Sequence, residues 1–277
     1  MISGRTALYG VMGHPVAHSL SPAMQNAAFA ELGIDAVYLA LPVAPDALSE
    51  AIRGAHALGF QGLNVTVPHK ERAAAWCVRL DGVAREVGAV NTLKRAPDGY
   101  QGTNTDAPAC RELLAAVGVG QGTKALLIGA GGAARAAGWA LLALGASVRV
   151  AARRPEAAVA LCRDLSRPGH HGRPEPAPWA ELAAEAAGAT VVVNGTSAGL
   201  HAKGEGLPAL PWSKGQVAVD FVYGDTAFVG AARAAGAHLV TGEQILLRQG
   251  ALAFTHWTGR PAPEAAMARA IAGRRDH

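Results

Sequence analysis

Lys70 and Asp106 are the two residues of this 277-residue chain whose types and settings suit proton transfer. Lys70 closes the string LNVTVPHK (63–70), where an apolar strand hands over to a helix expected across 69–80. A cation in the first turn of a helix opposes the helix field, so its placement there asks for a chemical reason beyond pairing with Glu71 or another acid. Asp106 closes GTNTD (102–106), at the start of a helix expected over 107–118. A helix cap is its plain structural role, and that role is compatible with a second one. If the two side chains meet in a cleft between domains, the carboxylate orients the amine. The amine can then give a proton to a carbonyl oxygen as hydride arrives, and take it back in the oxidation direction.

The stretch GVMGHPVAHSLSP (10–22) packs two histidines, two serines and two prolines between an apolar strand and a helix. Ser21 is expected to cap that helix, with Pro22 at its first position and its end near Leu32, before Gly33. Read alone, the string is cap and turn chemistry. The hydroxyls of Ser19 and Ser21, with the backbone donors of the helix start, also make a donor set suited to a carboxylate. His14, His18 and His69 do not follow HExxH, and no metal is expected. His14 and His18 are expected to brace the turn and His69 to flank the lysine, while Met12, Met24, Phe254 and Trp257 read as core.

A third constellation is LLIGAGGAARAAGWAL (126–141). Gly129 and Gly131 take the first two places of GxGxxG/A and Ala134 the small third one, after an apolar strand and before an alanine-rich helix. The backbone of Gly129, Ala130, Gly131, Gly132 and Ala133 is expected to cradle a pyrophosphate at the helix start. The next strand, VRVAARRPEAA, ends in Ala152, Arg153 and Arg154, where a site for NAD commonly has an acid. Two guanidinium groups suit a 2′-phosphate better than a neutral diol, so the cofactor expected is NADP. Glu156, just beyond, is a possible partner for one arginine.

These residues need a scaffold of alternating strands and helices. Strands are expected at 7–11, 37–43 and 63–67, a hairpin from 89–95 and 100–106, and helices at 45–58 and 69–80. A second α/β unit follows from 124–154, with strands at 190–197, 216–223 and HLVTG, and a helix at 226–235. SRPGHHGRPEPAP (166–178), which carries His170 and His171, reads as an exposed surface loop. Helices are expected at 243–258 and 262–272, and periodicity does not say whether they rejoin the first domain.

Composition bounds the function. Hydrophobic residues make up 50% and charged residues 17%, as in a packed globule. A net charge of +4 without a basic stripe, and only 5% aromatics, speak against a nucleic-acid partner. Cys77, Cys110 and Cys162 are far apart and form no CxxC, which argues for a reducing compartment. No apolar run matches a membrane span and MISGRTALYGVMGHP lacks a leader pattern, so the expected location is cytoplasmic, with no membrane partner.

With HSLSP, NVTVPHK, GAVNT, GTNTD and GAGGAARA in this order, the chain resembles the shikimate/quinate dehydrogenase family nearly end to end. The resemblance implies that Ser19 and Ser21 grip a substrate carboxylate, that Asn64 and Thr66 line the substrate pocket, and that Asn91 lies beside the substrate hydroxyls. It makes Lys70 and Asp106 both the catalytic pair and substrate contacts. NGTSAG (194–199) implies Asn194, Thr196 and Ser197 beside the cofactor, and VDFVYG implies Phe221 on the cofactor side and Tyr223 facing substrate. TGEQILLRQGALAFTHWTG implies Gly242 near nicotinamide and Gln249 towards substrate hydroxyls.

The implied fold is two α/β domains around a cleft. Residues 1–106 and 243–277 form the substrate-binding catalytic domain, to which the C-terminal helices return, and 107–242 form a Rossmann-like NADP-binding domain. Opening and closing are expected about 104–108 and 240–245. The implied reaction is reversible NADPH-dependent reduction of 3-dehydroshikimate to shikimate, on the route to chorismate and aromatic amino acids. Alternatives are a quinate/shikimate dehydrogenase of broader range and a non-catalytic NADP-sensing regulatory protein. The oligomeric state stays open, a homodimer being one possibility. Two departures stand out: Gln25 where the family often has histidine, and a shortened segment after Tyr223, YGDTAF.

Overall fold

The computed structural model describes residues 2–166, 172–199 and 206–272. The chain divides into two compact units, one of Met1–Thr105 with Leu246–His277 and one of Asp106–Ile245.

The first unit is built on a six-stranded mixed sheet of β1 (Ala7–Gly13), β2 (Ala36–Pro42), β3 (Gly62–Val65), β4 (Arg79–Leu80), β5 (Thr92–Ala96) and β6 (Gly99–Thr103), in the order β2-β1-β3-β5-β6-β4. β1 runs parallel to both β2 and β3, and β5 runs antiparallel to β3 and β6. The expected hairpin is therefore present. α1 (Ser21–Glu31) starts with Pro22 in its first turn, and the chain reverses at Gly33 with φ 61°. α2 (Leu48–Ala57) is shorter than expected. α3 (Gly82–Val87) is not among the expected helices, although its cap is conventional: Asp81 Oδ1 accepts from Ala84 N at 2.8 Å.

The helix expected at 69–80 does not form. His69 N donates to Thr66 O at 2.9 Å, a five-residue 3-10 turn covers Arg72–Trp76, and Cys77 is already extended. Long-range backbone bonds take the rest: Val90 N donates to Lys70 O and Val78 N to Tyr100 O. Long-range bonds thus claim groups that an α-helix would have needed. The argument that Lys70 opposes a helix field falls with the helix.

α10 (Glu264–Ala272) packs on α1, and the later part of α9 (Gly242–Thr258) belongs to the same unit. Trp257 Nε1 donates to Leu93 O at 2.9 Å, and a Cβ at Gly62 would lie 2.5 Å from that same nitrogen. Only glycine lets the indole lie so close to β3. Phe254, Met12 and Met24 are buried, as expected.

The second unit carries β7 (Lys124–Ile128), β8 (Ser147–Ala151), β9 (Glu175–Ala177), β10 (Val191–Asn194), β11 (Val217–Asp220) and β12 (His238–Val240), all parallel, in the order β12-β11-β10-β7-β8-β9. KALLI, VVVN and VAVD are nearly continuous apolar runs because helices cover both faces. Leu127, Val193 and Val219 join the core on one face, and Leu126, Val192 and Ala218 that on the other. The helices are α4 (Asp106–Ala116), α5 (Gly132–Ala143), α6 (Pro155–Leu165), α7 (Leu182–Gly188) and α8 (Ala227–Ala234). The stretch expected to be loop at 166–178 contributes edge strand β9, paired to β8. His170 and His171 lie outside the described residues.

Candidate active site

In the first unit the amides of NVTVPHK and GAVNT form one buried hydrogen-bonded network. Tyr38 Oη donates to Asn64 Oδ1 at 2.7 Å, which turns the Asn64 amide so that Nδ2 donates to Asn91 O at 3.1 Å and Thr92 Oγ1 at 3.0 Å. Asn91 Oδ1 accepts from Thr105 N at 2.7 Å, and Asn91 Nδ2 donates to Thr105 Oγ1 at 3.0 Å. Asn91 Nδ2 and Thr105 Oγ1 both reach Gln249 Oε1 at 3.4 Å, while Gln249 Nε2 donates to Leu246 O. Buried amides in such a network hold one orientation, since a flip would oppose donor to donor. Asn64, Asn91 and Gln249 are thus brought together; Tyr38, Thr92 and Thr105 join them unforeseen. Thr92 and Thr105 stand inside GAVNT and GTNTD, but nothing local marks Tyr38.

Lys70 is half-buried, and its carbonyl holds Val90 N at 2.8 Å, immediately before Asn91. Asp106 follows Thr105 in the chain, opens α4 and is 4% exposed. The approach to Asp106 is pinned further: Asp81 Oδ2 accepts from Thr103 Oγ1 and Asn104 Nδ2 donates to Ala89 O. Thr66 is half-buried, its amide donating to Met12 O, and a Cβ at Gly13 would collide with its methyl group.

Ser21 does not cap α1. It is the first helical residue, Leu20 flanks it, and Ser19 Oγ accepts from Ser21 N at 3.3 Å. The turn Ser19 N to Val16 O already bends the chain one step earlier, so the hydroxyl in capping range is that of Ser19. The expected bracing by His14 is a backbone bond, His14 N to Val67 O, its side chain being exposed, as is His18. His69 is fully buried with Nε2 2.7 Å from Val43 O, and burial holds its pKa below the ordinary imidazole value.

In the second unit, Gly129 has φ 113°, and a Cβ there would lie 2.9 Å from Gly195 O. Gly131 is extended and exposed, Gly132 and Ala133 are half-buried, and no side chain caps α5, so the amides of its first turn have no side-chain acceptor. Half-buried Ala130 lies in the same turn, and buried Ala134 is 2.9 Å from where a Gly195 Cβ would stand. This glycine-walled cradle fits a pyrophosphate. Arg153 and Arg154 are exposed just after buried Ala152, with Glu156 in the first turn of α6.

Asn194 is buried, Thr196 half-buried and Ser197 exposed, and Phe221 N donates to Asn194 O at 3.2 Å. A Cβ at Gly242 would collide with Val222 O at 2.5 Å and approach the Tyr223 ring at 3.0 Å, so α9 can start there only with glycine. Burial pushes the Tyr223 pKa up, and the charges of Asp106 and Glu243 add to the shift. Among the described residues no group of three or more His, Cys, Asp or Glu is arranged to hold a metal ion.

A doubly wound parallel unit with a glycine-lined anion cradle, carried in one chain with a mixed-sheet unit holding a buried amide–hydroxyl network, defines the class: a two-unit α/β protein built to hold a dinucleotide. Comparison narrows it. A profile described as shikimate dehydrogenase substrate binding domain matches residues 11–93, and one described as shikimate 5'-dehydrogenase C-terminal domain matches 242–272. The chain is 67% identical over 274 residues to shikimate dehydrogenase (NADP(+)) of Anaeromyxobacter dehalogenans strain 2CP-1, covering 99% of each chain. Its fold resembles shikimate dehydrogenase from Aquifex aeolicus with a TM-score of 0.88 and 36% identity, over 98% of this chain and 99% of that one. It also resembles the Thermus thermophilus shikimate 5-dehydrogenase in complex with NADP(H) and shikimate, with a TM-score of 0.83 and 36% identity, over 96% and 99%. The chain belongs to the shikimate dehydrogenase family.

Proposed function

We propose that this chain catalyses the reversible NADPH-dependent reduction of 3-dehydroshikimate to shikimate, with Lys70 as proton donor and acceptor and Asp106 as its partner. The observation that carries the proposal is the chain of bonds from Lys70 O through Val90 to Asn91 and on to Thr105, the residue before Asp106. It ties the lysine segment and the aspartate segment to one rigid amide. Positioning of that kind is as much a part of the proposal as the proton transfer itself.

In the reduction direction the Lys70 ammonium protonates the substrate oxygen that becomes a hydroxyl, and in oxidation the amine takes the proton back. The Asp106 carboxylate holds the amine and reads a neighbouring hydroxyl. Ser19 and Ser21 donate to the substrate carboxylate. Asn64, Thr66, Asn91, Tyr223 and Gln249 surround the ring. The bound cofactor supplies hydride. The amides of Gly129–Ala133 would hold its pyrophosphate, Arg153 and Arg154 its 2′-phosphate, and Asn194, Thr196, Ser197, Phe221 and Gly242 the remainder. The glycine walls at Gly129 and Gly195, which a Cβ would fill, support this fit.

The reading includes a cytoplasmic location, supported by three free cysteines, and a small molecule as partner rather than nucleic acid or membrane. Among the described residues no helix is long and apolar enough to cross a membrane.

The test separates chemistry from binding. Lys70→Ala lowers kcat by roughly 10²–10⁴-fold, while the Kd for NADPH, measured by calorimetry, stays within about threefold of the parent. Near-normal turnover would overturn the role of Lys70.

A further inference from the structure

Asp220, at the end of β11, is fully buried and takes no part in the proposed chemistry. Its carboxylate is nonetheless engaged on both oxygens. Oδ1 accepts from Asn194 Nδ2 at 2.9 Å and Val222 N at 3.0 Å, and Oδ2 accepts from Thr226 Oγ1 at 2.6 Å. A buried carboxylate is costly to keep, and hydrogen bonds of this number are what make it tolerable.

These bonds reach two separate loops. By taking Asn194 Nδ2, Asp220 turns Oδ1 of that amide towards Thr196, where it accepts from the backbone N–H at 3.1 Å and the hydroxyl at 2.7 Å. With its proton so committed, Thr196 Oγ1 presents a lone pair to Ala198 N at 3.0 Å. The other loop is the short YGDTAF segment. Thr226 donates to Asp220 and accepts from Val229 N at 3.1 Å, capping α8, while Gly224 N donates to Glu243 Oε1 at 2.9 Å. The loops also touch, since a Cβ at Gly199 would lie 3.2 Å from the Thr226 methyl group.

We propose that Asp220 is a positioning residue for cofactor binding: one carboxylate sets both the 194–199 loop and the 221–226 loop, and the shortened segment after Tyr223 is held closed by the Thr226–Asp220 bond. The inference rests on the reading of this unit as the NADP-binding one. It explains how so short a loop keeps its shape: a side-chain bond to a buried acid does the bending.

The experiment uses Asp220→Ala, Asp220→Asn and Thr226→Val in the full chain, with Gln216→Leu as the control. Gln216 is also a buried polar group of this unit, but its Nε2 donates to Ala186 O and Ala189 O and its Oε1 accepts from Ser213 N, none of them in either loop. NADP+ affinity is measured by calorimetry without substrate, amide hydrogen exchange is read at Thr196, Ala198 and Val222, and melting is followed for each variant. The expected result is a rise in NADP+ Kd of roughly tenfold for Asp220→Ala, with smaller rises for Asp220→Asn and Thr226→Val. Exchange at those amides speeds up in the Asp220 and Thr226 variants and stays at the parent rate in Gln216→Leu. Gln216→Leu lowers the melting temperature without moving NADP+ affinity.

Parent-like NADP+ affinity in folded Asp220→Asn and Thr226→Val overturns the proposal, and so does an equal loss in Gln216→Leu. Should Asp220→Ala not fold, the two milder variants decide. A parent protein that fails to bind NADP+ at all would instead remove the reading on which the proposal stands.

Discussion

The Tyr38 hydroxyl decides which way the Asn64 amide faces, and the Asn64 amide in turn fixes Asn91 and Thr92. Tyr38→Phe leaves Asn64 Oδ1 without its donor in a buried setting, a change that costs about 1–3 kcal/mol in urea unfolding. The same variant raises the KM for shikimate and leaves NADP+ affinity unchanged; an unchanged KM would show that the amide orientation does not matter to the substrate. Ser19→Ala removes a hydroxyl that accepts from Ser21 N, and the proposed carboxylate grip with it. Its substrate KM rises roughly tenfold, with little change for NADP+; the reverse pattern would contradict the grip. At this scale the motif strings marked Asn64 and Asn91, whereas the partners that hold them, Tyr38 and Thr105, lie far off in the sequence. Tyr38 was illegible: a strand tyrosine 26 residues from Asn64 looks like any core aromatic until the sheet brings them together.

Elements were legible where local chemistry decides them. The glycine turn before α5 is such a case. Gly129→Ala combines a left-handed φ of 113° with a contact of 2.9 Å to Gly195 O, so the variant melts lower and binds NADP+ weakly. Parent-like cofactor titration of that variant would contradict the cradle. The failed helix at 69–80 shows the opposite case. Alanines and an amphipathic pattern favour helix locally, yet Lys70 O and Val78 N are used by Val90 and Tyr100, partners that sequence reading does not supply.

His69 belongs to this segment. It is buried, its pKa is lowered mainly by that burial, and the Val43 carbonyl only partly offsets the effect. The unfolded chain therefore binds a proton near the ordinary value of 6.5 before the folded one does. The stability that neutral His69 contributes is full above that pH and is lost as pH falls towards its depressed folded value. Melting temperature followed from pH 7.5 downward should drop through this window, and His69→Gln should flatten the slope. An unaltered slope would assign the loss to other groups, such as His256, whose pKa is also lowered.

Across the whole molecule, the first unit is closed by residues from both ends of the chain. Gln25 Nε2 donates to Gly250 O at 3.0 Å, and Met24 lies where a Gly250 Cβ would stand. The departure at Gln25 therefore bears on the seating of α9 on α1, a long-range role that no reading of the opening turn could have found. The alternation of strands and helices made the two α/β units legible; the return of the last helices was legible only through resemblance, because periodicity carries no address. Burial also governs the three cysteines. It pushes Cys77 and Cys110 up to about 12 and Cys162 to about 11, so at pH 8 about one thiol in a thousand or fewer is ionised. Ellman's reagent should leave the native protein nearly unlabelled and titrate all three thiols in urea. Rapid native labelling would mean that this packing opens readily.

The central claim is tested most directly by steady-state turnover of the purified chain with shikimate or quinate, each with NADP+ or NAD+. The account predicts that shikimate with NADP+ gives a kcat/KM roughly tenfold or more above every other combination. No reduction of NADP+ by shikimate, or faster turnover with quinate and NAD+, would contradict it.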